Sequence, residues 1–163
     1  MSTMRRSRTA QPWRAQPQAL TPAAHLRLAV LQPEPETGLG ALAVVLDAAG
    51  VECHVLDAQR DLPPVDEFDG AIVLGGSLGA DDVPLVTRRW LGESVRAGVP
   101  CFAVCLGAQL LAAALGARVI RGRPELGAHD IYLLDTALRD PLFADLPRRV
   151  KVFSFHQDRF ELP

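Results

Sequence analysis

Cys105 stands where the pattern of the chain changes. Before it, Pro100 opens the short apolar run Cys101-Phe102-Ala103-Val104. After it comes Leu106-Gly107-Ala108-Gln109-Leu110-Leu111-Ala112-Ala113-Ala114-Leu115, closed by Gly116. The first run fits a strand buried on both faces. The second is rich in helix formers and ends on a glycine suited to the position just past a helix. A thiol at such a strand-to-helix turn has the geometry of a nucleophile elbow. Ala103 and Gly107 are small enough for the two backbones to approach across the turn. A helix N-terminus favours the thiolate, which is the form that attacks. The N–H of Leu106 can point at the oxyanion formed when a carbonyl is attacked. The alternative is an ordinary buried cysteine at a strand end. Cys101 and Cys53 read as core packing.

Two further stretches can carry chemistry. Leu74-Gly75-Gly76-Ser77-Leu78-Gly79 follows an apolar strand. It lacks the Gly-Lys-Ser/Thr ending of a phosphate-binding loop and the full dinucleotide spacing. It lies, however, at the C-terminal end of a parallel strand, where sites assemble. The alternative is a tight strand-exit turn. Near the end of the chain, Phe153-Ser154-Phe155-His156-Gln157-Asp158 is followed by Arg159-Phe160-Glu161-Leu162-Pro163. The other histidines are poor candidates: His25 and His54 read more simply as surface or satisfied core residues, and His129 belongs to a meander late in the chain.

The Ala103-Val104-Cys105-Leu106-Gly107-Ala108-Gln109 segment resembles the Gly-x-Cys-x-Gly-x-Gln nucleophile segment of class I glutamine amidotransferases, with Ala103 in place of the first glycine. The Gly75-Gly76 pair resembles the family's oxyanion loop, with Ser77 where proline is usual. Glu125-Leu126-Gly127 resembles its Glu-x-Gly segment beside the glutamine pocket. His156-Gln157-Asp158 resembles the His-Gly-Asp segment of amidotransferases related to the glutaminase domain of GMP synthase, with Gln157 replacing glycine. The resemblance runs in order from about Leu26 to Pro163. It implies Cys105 as nucleophile, with Gly76 and Leu106 as oxyanion donors. Gln109, Gly75, Gly107, His156 and Asp158 would surround the substrate. The implied reaction is hydrolysis of the glutamine side-chain amide through a Cys thioester, supplying ammonia to an acceptor reaction or a synthetase partner. No metal or organic cofactor is implied. The family's base lies in a Gln-x-His-Pro-Glu segment that has no counterpart before Pro163, and His156 belongs to the pocket. The expectation is therefore an amidotransferase-like domain that stops short of its catalytic His/Glu segment and has little glutaminase activity as a 163-residue chain. The alternatives are a cysteine hydrolase of the same fold acting on a γ-glutamyl peptide, and a non-catalytic binding or regulatory module.

Positioning these residues takes a regular alternation of elements. Leu26–Leu31, Cys53–Leu56, Ala71–Leu74 and Cys101–Val104 read as strands. Ala41–Ala49, Pro84–Ala97 and the stretch after Cys105 read as helices, with Asp81 or Asp82 placed to cap the second. Strands alternating with helices imply an α/β fold: an open, mostly parallel sheet with helices on both faces. With the family resemblance, the expected fold is flavodoxin-like. Arg118–Ile120, His129–Leu134 and Val150–Phe155 read as a small antiparallel meander on the sheet edge. A short helical or 3₁₀ piece is expected from Asp140-Pro141 to Leu146.

The 163 residues suit one domain, and 48% are hydrophobic, enough for a core. Residues 1–25 carry arginines without acidic residues and read as a disordered basic tail; 26–163 read as the domain. A net charge of −2 argues against nucleic acid as a partner. No apolar run reaches membrane-spanning length, and three cysteines do not suggest a disulfide framework. A cytoplasmic location is the expectation. Cys101 and Cys105 with scattered histidines make a poor zinc site.

Overall fold

The computed structural model describes residues 25–162. The expected tail, apart from His25, lies outside the described residues. Four strands, β1 (Arg27–Gln32), β2 (Glu52–Asp57), β3 (Gly70–Val73) and β4 (Cys101–Ala103), form one parallel sheet in the order β2-β1-β3-β4. Three helices connect or follow them: α1 (Ala41–Ala48), α2 (Leu85–Arg96) and α3 (Leu106–Ala114). Strand order reverses between β1 and β3. The loops leaving their C-terminal ends therefore flank a crevice, which is where ligands bind in open α/β sheets.

Alternation along the central strands builds two cores. Ala29 and Leu31 of β1, with Ala71 and Val73 of β3, pack against Trp90 and Leu91 of α2 and Leu106 and Leu110 of α3. Val30 and Ile72 point the other way, towards Leu42 and Leu46 of α1. Both faces of the central strands β1 and β3 are thus covered, as a parallel sheet requires. The edge strands are not: Val55 of β2 and Phe102 of β4 are exposed. The 101–104 run is therefore not buried on both faces as expected, because no further strand or helix among the described residues covers it. The polar groups drawn into the first core are satisfied. Thr87 Oγ1 donates to the Ala58 carbonyl at 2.6 Å, and Trp90 Nε1 to the Pro63 carbonyl at 2.6 Å.

Two further expectations are corrected. Neither Asp81 nor Asp82 caps α2, which begins after Pro84 with no side-chain cap. Asp82 instead accepts the Gly79 N–H at 3.0 Å and closes a 3₁₀ turn over Ala80–Asp82. The three short strands expected after Gly116 are two long ones, β5 (Val119–Tyr132) and β6 (Arg149–Phe160). They pair antiparallel with each other and not with the main sheet. Pro124, which lacks an N–H, falls in a register shift between Arg121 and Glu125, where no ladder bond is required of it. The strand therefore continues through the apparent break, and the Glu125–His129 stretch is ribbon rather than turn. The 3₁₀ piece lies at Ala137–Arg139, and hydrogen-bonded turns follow it, including Phe143 N–H to the Asp140 carbonyl at 3.0 Å.

Candidate functional site

Cys105 stands at the N-cap of α3 with φ 51° and ψ −116°, a left-handed conformation that side chains rarely adopt. Such a conformation costs on the order of 1–3 kcal/mol and persists only where its surroundings impose it. Here they do. Gly107 presses so closely on the end of β3 that a Cβ would lie 2.3 Å from the Val73 carbonyl oxygen and 2.8 Å from that of Leu74. The first turn of α3 is seated directly on the strand, and the chain can enter it only through a sharp bend. The bend leaves Cys105 exposed. Cys53 and Cys101 are partly buried, and desolvation pushes both thiols up in pKa.

The glycine loop after β3 closes on the thiol. A Cβ on Gly75 would be 3.2 Å from Cys105 Cβ, and one on Gly76 would be 3.1 Å from Leu106 Cδ2. Neither the Gly76 nor the Leu106 N–H donates to another described residue. The next two N–H groups are taken. Ser77 and Leu78 each donate a backbone N–H to the Glu34 carboxylate at 2.9 Å, and Ser77 Oγ donates to it at 2.9 Å. Ser77 thus gives Glu34 two donors where proline would offer none. Glu34 leaves β1 through the first loop, so this clamp spans the reversal in strand order. The Ser77 backbone N–H, then its hydroxyl, hold the Glu34 carboxyl below its ordinary range despite some desolvation.

The clamp should therefore depend on pH in a defined direction. A depressed folded-state pKa gives stability that is complete above the ordinary glutamate value of 4.5 and lost as pH falls through the lower folded value. Titration of the Ser77 and Leu78 amide proton shifts by NMR should show a midpoint below that ordinary value. Glu34→Gln should abolish the transition. A midpoint at or above 4.5 would contradict the clamp.

The opposite wall comes from the ribbon. Gln109, 7% exposed on α3, donates its side-chain N–H to the Asp158 carbonyl at 3.4 Å. His156 Nδ1 lies 3.2 Å from the same carbonyl, and Nε2 lies 3.4 Å from Glu125. Asp158 therefore ties α3 to β6 through its backbone. Between the two walls lies a cleft of about 1020 Å³. It brings together Gly75, Gly76, Cys105, Leu106, Gln109, His156 and Asp158. Gly107 is not among its lining residues and is buried beneath the turn, where it provides space rather than a surface. A smaller cavity of about 430 Å³ continues from Cys105 between α3 and the β6 residues Phe153, Phe155 and Phe160. His25 precedes β1, at the opposite end of the sheet. His54 stacks edge-on to Phe68, and His129 lies 3.3 Å from Ser154 Oγ. No group of three or more His, Cys, Asp or Glu side chains that could hold a metal occurs among the described residues.

Among the lining residues that the sequence does not point to, two carry charge: Glu34 and Arg121. The available signal for Glu34 was a carboxylate just beyond the first strand of a parallel sheet. Arg121 has no such signal until the ribbon pairing is known.

The family profile of class I glutamine amidotransferases matches residues 40–162. The chain is 34% identical over 111 residues to the glutamine amidotransferase-like protein YfeJ of Salmonella typhimurium, covering 62% of this chain and 46% of that protein. It is 27% identical over 116 residues to one subunit of a glutamine-hydrolysing GMP synthase from Thermoplasma acidophilum, covering 70% of this chain and 56% of that subunit. The chain thus spans about half the length of these relatives. A crystallised glutamine amidotransferase of Thermotoga maritima superposes with a TM-score of 0.75 at 27% identity, over 85% of this chain and 64% of that one.

Proposed function

The chain belongs to the class I glutamine amidotransferases, and from that premise we propose that its cleft binds glutamine and that Cys105 attacks the side-chain amide. The sulfur bonds to the amide carbon, the carbon–nitrogen bond breaks, and the nitrogen leaves with a proton as ammonia. Water then hydrolyses the γ-glutamyl thioester to glutamate. The Gly76 and Leu106 N–H groups receive the oxyanion, a contribution of about 3–4 kcal/mol per donor where one has been removed from an enzyme. Gln109 and the His156–Asp158 segment hold the substrate, and Gly75 keeps the loop close to the thiol. Gly107 serves the site by seating the turn. The ammonia passes to an acceptor reaction. The likeness to one subunit of a GMP synthase suggests that a separate synthetase chain is the partner. The site has no need of a cofactor, and the reaction suits the cytoplasm. No helix among the described residues is long and apolar enough to cross a membrane.

The observation that carries this reading is the strained, exposed Cys105 facing a loop whose Gly76 N–H donates to no other described residue. Its test is chemical. Brief treatment with iodoacetamide should label Cys105 before Cys53 and Cys101, because it is exposed and the other two thiols are raised by burial. L-Glutamine should slow that labelling, and peptide mapping reads both results. First labelling of Cys53 or Cys101, or labelling of Cys105 indifferent to glutamine, would overturn the reading.

A second reading, a binding or regulatory module on the same fold, is favoured by His156. Both its ring nitrogens face other partners, the Asp158 carbonyl and Glu125.

A further inference from the structure

We propose that Arg121 receives the α-carboxylate of the bound amino acid, so that the cleft selects for that group as well as for the side-chain amide. The inference rests on the reading of the cleft as a glutamine site. Arg121 is the one arginine or lysine among the cleft's lining residues. Its placement follows from the register shift in β5. Arg121 lies opposite Asp158, Glu125 lies opposite His156, and the intervening residues are out of step. Bulges of this kind re-aim side chains beside active sites. Gly122 makes this one possible. A Cβ there would lie 2.8 Å from the Gln157 carbonyl oxygen, and Gln157 Nε2 donates to the Gly122 carbonyl at 3.3 Å.

The charges of the cleft leave Arg121 available. Glu34 is occupied by Ser77 and Leu78, Asp82 by the Gly79 N–H, and Glu125 faces His156. Elsewhere on and beside the ribbon, Arg118, Arg148 and Arg149 each meet a carboxylate. Arg123 and Arg159 pair with none among the described residues but do not line the cleft, Arg159 bordering only the smaller cavity. Arg121 meets none among the described residues, even with Asp158 directly across from it. A guanidinium on the wall of a cleft presents paired donors that match a carboxylate. Glutamine bound with its amide at Cys105 carries an anion at its other end, and Arg121 is the side chain suited to take it.

The experiment uses protection of Cys105 against iodoacetamide, read by peptide mapping. Three ligands are compared: L-glutamine, glutaramic acid (glutamine without its amino group) and 4-aminobutanamide (glutamine without its α-carboxylate). Arg121→Ala should raise the concentrations of glutamine and glutaramic acid needed for half-protection about tenfold or more. The concentration of 4-aminobutanamide should not change. Arg121→Lys should lie between, because it keeps the charge and loses the fork. Arg123→Ala removes an exposed arginine of β5 outside the cleft and should leave all three ligands unaffected. Equal protection by glutamine in wild type and Arg121→Ala would overturn the role of Arg121 and leave the glutamine site standing. An equal loss for all three ligands would also overturn it, because the effect would then be independent of the carboxylate. Failure of glutamine to protect the wild type would overturn both.

Discussion

Alanine at position 107 is expected to lower the stability of the domain by about 3 kcal/mol and to erase the preferential labelling of Cys105. Two effects oppose each other. Inside a helix, alanine is favoured over glycine by about 1 kcal/mol, so propensity alone predicts stabilisation. Sterics decide otherwise. The added carbon would lie 2.3 Å from the Val73 carbonyl oxygen and 2.7 Å from its carbon, both backbone atoms in the centre of the sheet. A side chain could rotate away, but this carbonyl cannot. It accepts the Val104 N–H at 3.0 Å at the end of the β3–β4 pairing. Either α3 lifts from the sheet or that bond is lost, and both relax the bend that exposes Cys105. Urea unfolding and the ratio of iodoacetamide rates at the three cysteines measure the two consequences. A wild-type midpoint with wild-type selectivity would show that the close seating of Gly107 does not hold the turn. Gly75→Ala is a useful contrast. Its new carbon would meet Cys105 Cβ at 3.2 Å, a contact that small shifts can relieve, so labelling should suffer more than stability.

Features that depend on near neighbours are legible in the amino-acid sequence alone. The strand ending near Val104, the helix from Leu106 and the small residues around Cys105 lie within a few positions of one another. Each follows from local propensity and sterics. The parallel sheet is legible too, because alternating elements allow few other arrangements. The misreadings come from pairings across the chain. Pro124 and Gly127 look like strand breaks, because their tolerance depends on a 12-residue partner, β6, far along the sequence. Asp82 looks like a cap for α2, but the nearer Gly79 N–H wins it. Glu34 is unreadable as a site residue because its partners lie 43 and 44 positions away. Only the β1–β3 adjacency brings them together. Gly107 is noticeable for its size and groups naturally with the substrate-binding residues. Its burial against β3 ties it instead to the shape of the turn.

The purified 163-residue chain is expected to release ammonia from glutamine at a rate close to that of its Cys105→Ala variant. In the proposed reaction the thiol attacks, but three steps move a proton. The thiol must lose one, the departing nitrogen must gain one, and the deacylating water must lose one. A positioned acid–base group contributes about 10²–10⁴-fold to such steps. Among the described residues, His156 is the one imidazole in the cleft, and neither of its nitrogens faces the thiol: one meets the Asp158 carbonyl, the other Glu125. His129 is held beside Ser154, and His54 packs against Phe68. The Gly76 and Leu106 N–H groups donate to no other described residue, so the expected result is a slow single acylation of Cys105 without turnover. A coupled ammonia assay, with intact-mass measurement for the acyl adduct, separates the two. Robust turnover abolished by Cys105→Ala would refute the prediction. His156→Ala and Glu125→Gln would then decide whether the imidazole leaves its carboxylate partner to serve the thiol. If it does, both variants should change the pH profile of turnover, with His156→Ala eliminating most of the rate.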